Sequence, residues 1–171
     1  MTAKKRKMVT LPVNRVEGDL ELRLEIRDDI VHDAWCCGTM YRGFENMMKG
    51  RGPKDGLVIT PRVCGICGTS HLFAAAKALD MICGVTIPPN ALLVRNLTTM
   101  AEHLQSDMRH ALLMFMTNFI DRTYRNESFY QEARDRYLPL QGTSSLQGIK
   151  STKHIVEIIA IIGGQWPNSS Y

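Results

Sequence analysis

Residues 20–27 read Leu-Glu-Leu-Arg-Leu-Glu-Ile-Arg, and this alternation of apolar and charged residues decides the first part of the fold. Successive side chains of a β-strand point to opposite sides, so the pattern predicts a strand with one apolar and one charged face. The pair Asp28-Asp29 predicts a turn, and the apolar residues within 30–35 predict a returning strand. Residues 8–13 predict a further strand, which Pro12 places at an edge of the sheet because proline has no N–H to donate.

Beyond residue 42 the pattern becomes helical. We predict helices over five segments: 43–48 with an end at Gly50, 72–82, 88–115, 122–137 and 152–162. In the longest one, apolar residues recur at steps of three and four and form an apolar stripe that we expect to be buried: Leu93, Leu97, Met100, Leu104, Met108, Ala111 and Phe115.

The expected fold class is α+β, mainly α. An N-terminal antiparallel β hairpin or sheet would be followed by a helical bundle with one long central helix. We predict a basic tail over residues 1–7 and, over residues 8–171, part of one domain that another chain completes.

Composition limits the classes of function. The chain has 171 residues, of which 44% are hydrophobic and 22% charged, as in ordinary globular proteins. Much of its net charge of +4 comes from residues 4–7, and no basic face with interleaved aromatic residues follows, so we expect no nucleic-acid binding. No apolar run reaches the ~18–20 residues that span a bilayer, and no secretory signal begins the chain. We therefore expect no transmembrane segment and a cytoplasmic location, with membrane association only through partners.

The segment Cys64-Gly65-Ile66-Cys67 is the strongest chemical motif. Its two thiols are three positions apart, ahead of a predicted helix, so both sulfurs can reach one metal ion. Gly65 allows the backbone to turn closely around that ion. The partial positive charge of the helix N-terminus favours thiolates, and soft sulfur donors suit nickel, zinc, copper(I) and iron–sulfur centres.

Three other readings of this motif stay open on the residues alone. A structural zinc site would need two further ligands, of which His71 could be one, and the adjacent pair Cys36-Cys37 is poorly spaced for chelation. The motif also matches a thioredoxin-like redox pair, although a mostly helical sequel argues against that fold. Both cysteines could also be simple buried thiols.

Two carboxylates have similar alternatives. Glu17 and Glu45 would ordinarily face water. If Glu17 were buried beside a metal, desolvation would raise its proton affinity and suit it to proton transfer. A buried Glu45 could bind magnesium through oxygen.

The motifs taken together resemble the large subunit of nickel–iron hydrogenases. The resemblance covers roughly residues 8–171 and rests on five segments: Asn14-Arg15-Val16-Glu17-Gly18, Arg42-Gly43-Phe44-Glu45, Arg62-Val63-Cys64-Gly65-Ile66-Cys67 with His71 following, Ala74-Ala75-Ala76-Lys77-Ala78 and Arg95-Asn96-Leu97. It implies heterolytic cleavage or formation of dihydrogen at a nickel–iron centre whose iron carries diatomic ligands.

Residue roles follow from the resemblance. It implies that Cys64 is a terminal nickel ligand, that Cys67 bridges nickel and iron, and that Glu17 relays the proton. Glu45 would belong to a magnesium site. His71 would donate a hydrogen bond to a bridging sulfur.

The sequence departs from the family in several places. Asp19 stands where many members have histidine, and Gln105-Ser106-Asp107 replaces a histidine-rich part of the long helix. The second CxxC motif and the arginine-bearing pocket around the diatomic ligands are absent. We therefore expect a C-terminal large-subunit polypeptide to supply the other two cysteines and to cover the apolar stripe. An iron–sulfur small subunit would carry the clusters that transfer electrons.

Alternative functions are a structural zinc-binding or assembly module and a hydrogen-sensing regulatory hydrogenase. The related quinone-binding subunit of respiratory complex I generally lacks the paired cysteines.

Overall fold

The computed structural model describes residues 6–169. The chain divides into two compact units, Met1–Gly43 and Phe44–Tyr171. The first is a small antiparallel sheet and the second is helical, which confirms the predicted α+β, mainly α class.

The first unit is a three-stranded sheet with the order β1-β2-β3, made of β1 (Arg6–Val13), β2 (Leu20–Arg27) and β3 (Ile30–Gly38). Asp28 and Asp29 have φ angles of 53° and 63°, as a two-residue hairpin turn that follows the strand twist requires. β1 is an edge strand, as Pro12 predicted. It begins at Arg6 rather than residue 8, so the last two residues of the basic run pair in the sheet, whereas Lys4 and Lys5 lie outside the described residues.

One carboxylate on the charged face of the sheet is almost fully covered. Glu25 is 5% exposed, and its two oxygens accept hydrogen bonds from Arg27 and, at 3.1 Å, from Arg6. The hydrogen bond from Arg27 is the main reason why the pKa of Glu25 lies below its ordinary value, and the positive charges of both arginines act in the same direction.

The second unit consists of helices and short helical turns. Its α-helices are α1 (Phe44–Met48), α2 (Gly56–Ile59), α3 (Gly68–Cys83), α4 (Pro89–Arg109), α5 (Tyr130–Tyr137) and α6 (Thr143–Gly163). A π-helical segment, His110–Phe115, and a 3-10 segment, Met116–Ile120, continue α4. The predicted long central helix is therefore present.

Three helix predictions were wrong in extent. α3 begins at Gly68, four residues before the predicted start. The segment 122–137 is not one helix: a 3-10 turn at Arg122–Tyr124 precedes α5. α6 begins at Thr143, nine residues before the predicted start. Gly142 permits this early start, because a Cβ there would lie only 2.7 Å from the backbone nitrogen of Leu138, at the end of α5.

The apolar stripe on α4, expected to be buried, is exposed within the described residues. Five of its members are 49–67% exposed: Leu93, Leu97, Met100, Leu104 and Phe115. The face of α4 that is buried instead carries Thr98, Ala101, Glu102 and Gln105. α4 packs against α3 and α6, where its small and polar residues are covered by those helices.

An ion pair fixes α3 against α4. The guanidinium of Arg95 donates to both carboxylate oxygens of Asp80, and both side chains are less than a fifth exposed. Planar two-point pairs of this kind are more specific in geometry than a lysine contact. Within residues 6–169, no helix combines the length and the apolar character needed to cross a membrane.

Candidate metal centre

Cys64 and Cys67 lie together in the loop that joins the 3-10 turn Thr60–Arg62 to α3. Their sulfurs form a disulfide, with the two Cα atoms 5.3 Å apart, and the backbone N–H of Cys67 donates to Cys64 Sγ at 3.3 Å. Both residues are half-buried. A disulfide and a pair of thiolate ligands are alternative states of the same sulfurs, because metals bind the reduced thiolate. The ligand roles of the two residues therefore stay predictions.

The entrance to this loop is anchored from within the second unit. Pro61 is fully buried, and Thr60 Oγ1 donates to the backbone oxygens of Gly56, at 2.8 Å, and His71, at 3.2 Å. Gly68 begins α3 close to this anchor, since a Cβ at Gly68 would lie 3.1 Å from the backbone oxygen of Pro61. The first turn of α3 is thus packed directly on the preceding turn.

The segment after α6 packs against the same loop. A Cβ at Gly65 would lie 3.5 Å from Pro167 Cβ. This segment is held in a compact turn, because Gln165 Nε2 donates to the Asn168 oxygen and Ser169 Oγ donates to the Gln165 oxygen, both at 2.7 Å. The segment after α6 therefore lies against the CxxC segment.

The N-terminus of α3 has an unusual cap. Cys67 occupies the N-cap position and makes no side-chain cap hydrogen bond. Glu102 on α4 accepts hydrogen bonds instead from the backbone N–H groups of Thr69, at 2.7 Å, and Ser70, at 2.9 Å, and from Ser70 Oγ. Glu102 is 2% exposed, so its charge is stabilised by these donors rather than by water.

A second side chain of α4 contacts the loop one helical turn further on. Gln105 is 1% exposed, and its Nε2 donates to the backbone oxygen of Ile66 at 3.3 Å. Its Oε1 and the indole N–H of Trp166 are both buried without a hydrogen-bond partner among the described residues. Both side chains line a cavity of about 280 Å³ between α4 and α6.

The other predicted site residues are more dispersed. His71 is half-buried, and its backbone N–H donates to the Cys67 oxygen at 3.3 Å. Glu45 is exposed in the first turn of α1. Glu17 is exposed in the loop between β1 and β2, in the first unit. The roles of these three residues stay predictions.

The donor set fits half of a metal centre. Over residues 6–169, no three His, Cys, Asp or Glu side chains converge as possible ligands. Two converging sulfurs suit a soft metal such as nickel, but they fall short of the four donors that closed sulfur sites provide.

The comparison with known proteins identifies the class. The model of the nickel-dependent hydrogenase family matches residues 42–135, more than half of the chain, and includes the whole CxxC segment with Glu45, His71, Glu102 and Gln105. The chain belongs to the nickel-dependent hydrogenase family, which confirms the resemblance seen in its motifs.

Individual relatives are large subunits. Over 99 residues, 58% of this chain and 19% of the relative, it is 43% identical to the periplasmic [NiFeSe] hydrogenase large subunit of Desulfomicrobium baculatum. Over 112 residues, 66% of this chain and 20% of the relative, it is 34% identical to the hydrogenase-2 large chain of Escherichia coli K12. The reduced Ni-Fe-Se hydrogenase of D. vulgaris Hildenborough superimposes with a TM-score of 0.73 at 27% identity, over 96% of this chain and 36% of that one. The chain thus spans about a fifth of the length of its curated relatives.

Proposed function

We propose that Cys64 and Cys67, once reduced, bind a nickel–iron centre at which dihydrogen is cleaved or formed. The observation that carries the proposal is the convergence of the two sulfurs at the start of α3, inside the segment that matches the nickel-dependent hydrogenase family. Cys64 would be the terminal nickel ligand, and Cys67 would bridge nickel and iron.

Proton transfer is the task of this chain's own residues. Each dihydrogen yields two protons and two electrons in all. When bound, the metal pair would supply the polarising charge for heterolytic cleavage and take up the two electrons. Cys64 Sγ would receive the proton, because a thiolate on a cationic metal remains a weak base. Glu17 would then take the proton from Cys64 and pass it to solvent, as a carboxylate suited to general acid–base exchange.

The remaining donors belong to a part of the large subunit that this chain does not span. We infer that a C-terminal large-subunit polypeptide supplies two further cysteines. Two observations support this: the chain covers about a fifth of its relatives' length, and the apolar stripe on α4 is exposed in the described residues. Exposed apolar residues that share one helix face are typical of an interface.

Electrons would leave through an iron–sulfur small subunit. The three free cysteines of the chain are Cys36 and Cys37 on β3 and Cys83 at the end of α3. They lack the spacing of a cluster motif, which needs four thiolates. The clusters therefore have to lie on a partner.

Further features of the family complete the proposal. Glu45 would bind magnesium through its carboxylate, and His71 would donate a hydrogen bond to a bridging sulfur, which fixes the direction of that ligand. Diatomic ligands would complete the iron. A cytoplasmic location, with attachment to a membrane through partners, is the compartment we propose, and cell fractionation with an antibody against this chain would test it.

The metal ligands are tested by elemental analysis of the assembled complex. Cys67→Ser should abolish nickel retention, because the loss of a bridging thiolate removes a shared ligand of both metals. Cys83→Ser is the matched control, since Cys83 is a free, exposed cysteine at the end of α3, and it should retain wild-type nickel. Wild-type nickel content in the Cys67→Ser complex would remove Cys67 from the site, and one zinc per chain would instead favour the structural zinc module.

The proton relay is tested by isotope exchange between deuterium gas and water. Glu17→Gln should retain both metals and slow the exchange at least ~100-fold, the low end for the loss of a general acid–base group. Glu132→Gln, which changes an exposed glutamate on α5, should exchange at the wild-type rate. Full exchange activity in Glu17→Gln would exclude the relay role.

A further inference from the structure

We propose that Glu102 and Gln105 form a clamp on α4 that positions Cys67 and thereby the metal-binding sulfurs. They are positioning residues, since each acts through the backbone of the CxxC loop or of α3. The inference rests on the proposed metal site and extends it to two residues to which neither the motifs nor the family assignment gives a role.

The clamp contacts the chain on both sides of Cys67. Gln105 donates to the carbonyl of Ile66, the residue before Cys67, and Glu102 accepts from the N–H groups of Thr69 and Ser70, two and three residues after it. Glu102 and Gln105 are three positions apart, so they share one face of α4. Cys67 is therefore fixed between two contacts made by one rigid helix.

Glu102 replaces the cap that Cys67 cannot provide. An N-cap side chain ordinarily accepts from the second and third N–H groups of its helix, which in α3 belong to Thr69 and Ser70. A sulfur used as a metal ligand is committed elsewhere. A carboxylate supplied from α4 satisfies the same donors and is favoured by the helix dipole.

Burial gives both contacts their strength. Both side chains are at most 2% exposed, so water cannot replace a lost hydrogen bond, and an unpaired donor or acceptor would remain desolvated. Gln105 has the further property that only its N–H side is used, because its Oε1 has no partner among the described residues. Gln105→Glu replaces Nε2 by an oxygen, so that two hydrogen-bond acceptors, this oxygen and the Ile66 carbonyl, would face each other.

The test compares substitutions in the assembled complex by two readouts: hydrogen–deuterium exchange of the peptide covering residues 67–71, and nickel per complex. Glu102→Ala should accelerate exchange of the Thr69 and Ser70 amides about tenfold or more, as expected for the loss of a buried, charged cap. Glu102→Asp should behave like alanine, because its shorter side chain does not reach the amides. Glu102→Gln should restore part of the protection, because it keeps the length and one acceptor oxygen.

Gln105→Glu should also accelerate exchange in this peptide. Across the variants, the less the amides are protected from exchange, the less nickel the complex should contain. Glu132→Gln is the matched control, since the Glu132 side chain is 70% exposed, and it should leave both readouts unchanged. If Glu102→Ala or Gln105→Glu does not assemble, the milder Glu102→Gln and Gln105→Met decide.

Wild-type exchange rates and wild-type nickel content in these variants would overturn the proposed clamp. So would a uniform rise of exchange throughout α6 with nickel unchanged, since that pattern shows a merely structural role. A wild-type complex without nickel would contradict the proposed function instead, while the exchange measurement would still decide the clamp.

Discussion

Truncation of Ile159 should loosen the packing of α6, the helix that lies against α4 and its clamp. Ile159 is completely buried. Ile159→Ala removes three carbon atoms, which at about 0.8 kcal/mol each gives about 2.4 kcal/mol of lost transfer free energy. The cavity left behind adds to this, so we expect about 3 kcal/mol in total, within the usual range for such substitutions. Ile159→Val removes one methyl group and should cost about 1 kcal/mol.

Hydrogen–deuterium exchange of α6 in the assembled complex measures these values, because the slowest amides of a helix report the free energy of opening it. A loss of about 3 kcal/mol corresponds to roughly 100-fold faster exchange in Ile159→Ala, and about 1 kcal/mol to roughly fivefold in Ile159→Val. The graded pair serves as its own control, since both variants alter the same site. Exchange in Ile159→Ala within about twofold of wild type would refute the packing of α6 described above.

Three further predictions concern the fold. Gly142→Ala should cost about 1–3 kcal/mol or more, because its methyl group would overlap the backbone at the end of α5, and a wild-type thermal midpoint would contradict this. Arg95→Lys should lower the midpoint of thermal unfolding, because lysine cannot make the two-point contact with Asp80. If Asp80→Asn lowers the midpoint by a similar amount and the two losses add up in the double variant, the two residues do not interact. Because the pKa of Glu25 is lowered in the folded state, its ionised form stabilises the sheet at pH values above the ordinary pKa of 4.5, and this contribution is lost as the pH falls through the lower folded-state pKa. The stabilities of wild type and Glu25→Gln in acid unfolding should therefore converge at low pH. A constant difference between them would exclude the ion pair with Arg27.

The sheet and the long helix could be predicted because their patterns are local. Alternation in residues 20–27 and the pair Asp28-Asp29 specify a hairpin without reference to distant residues. The early start of α6 could not be predicted, since Gly142 and the polar residues after it carry no helical signal of their own. The start depends on the close approach of α5, a contact made only in the folded unit.

The candidate site shows the same limit. The spacing of Cys64 and Cys67 predicted that the sulfurs converge, and the structure brings them together. Glu102 and Gln105 were missed, because a polar residue on a helix ordinarily faces water, and their burial follows from which face of α4 packs on α3. Their shared face with Thr98 and Ala101, beside the apolar stripe, was one available signal. A polar helix face of this kind can either face water or be buried against another helix, and only the packing of the folded unit distinguishes the two.

The apolar stripe was assigned to the interior on periodicity alone. Periodicity identifies a face that avoids water but not the surface that covers it. In the described residues that face is open, consistent with the small share of the relatives' length that this chain spans.

The central claim is that the sulfurs of Cys64 and Cys67 bind nickel, and anomalous diffraction at the nickel absorption edge from crystals of the assembled, reduced complex tests it most directly. We expect a nickel peak within bonding distance of both sulfurs, with the remaining thiolates supplied from outside this chain. An intact Cys64–Cys67 disulfide without a metal peak in the assembled complex, or a peak that appears at the zinc edge alone, would contradict it.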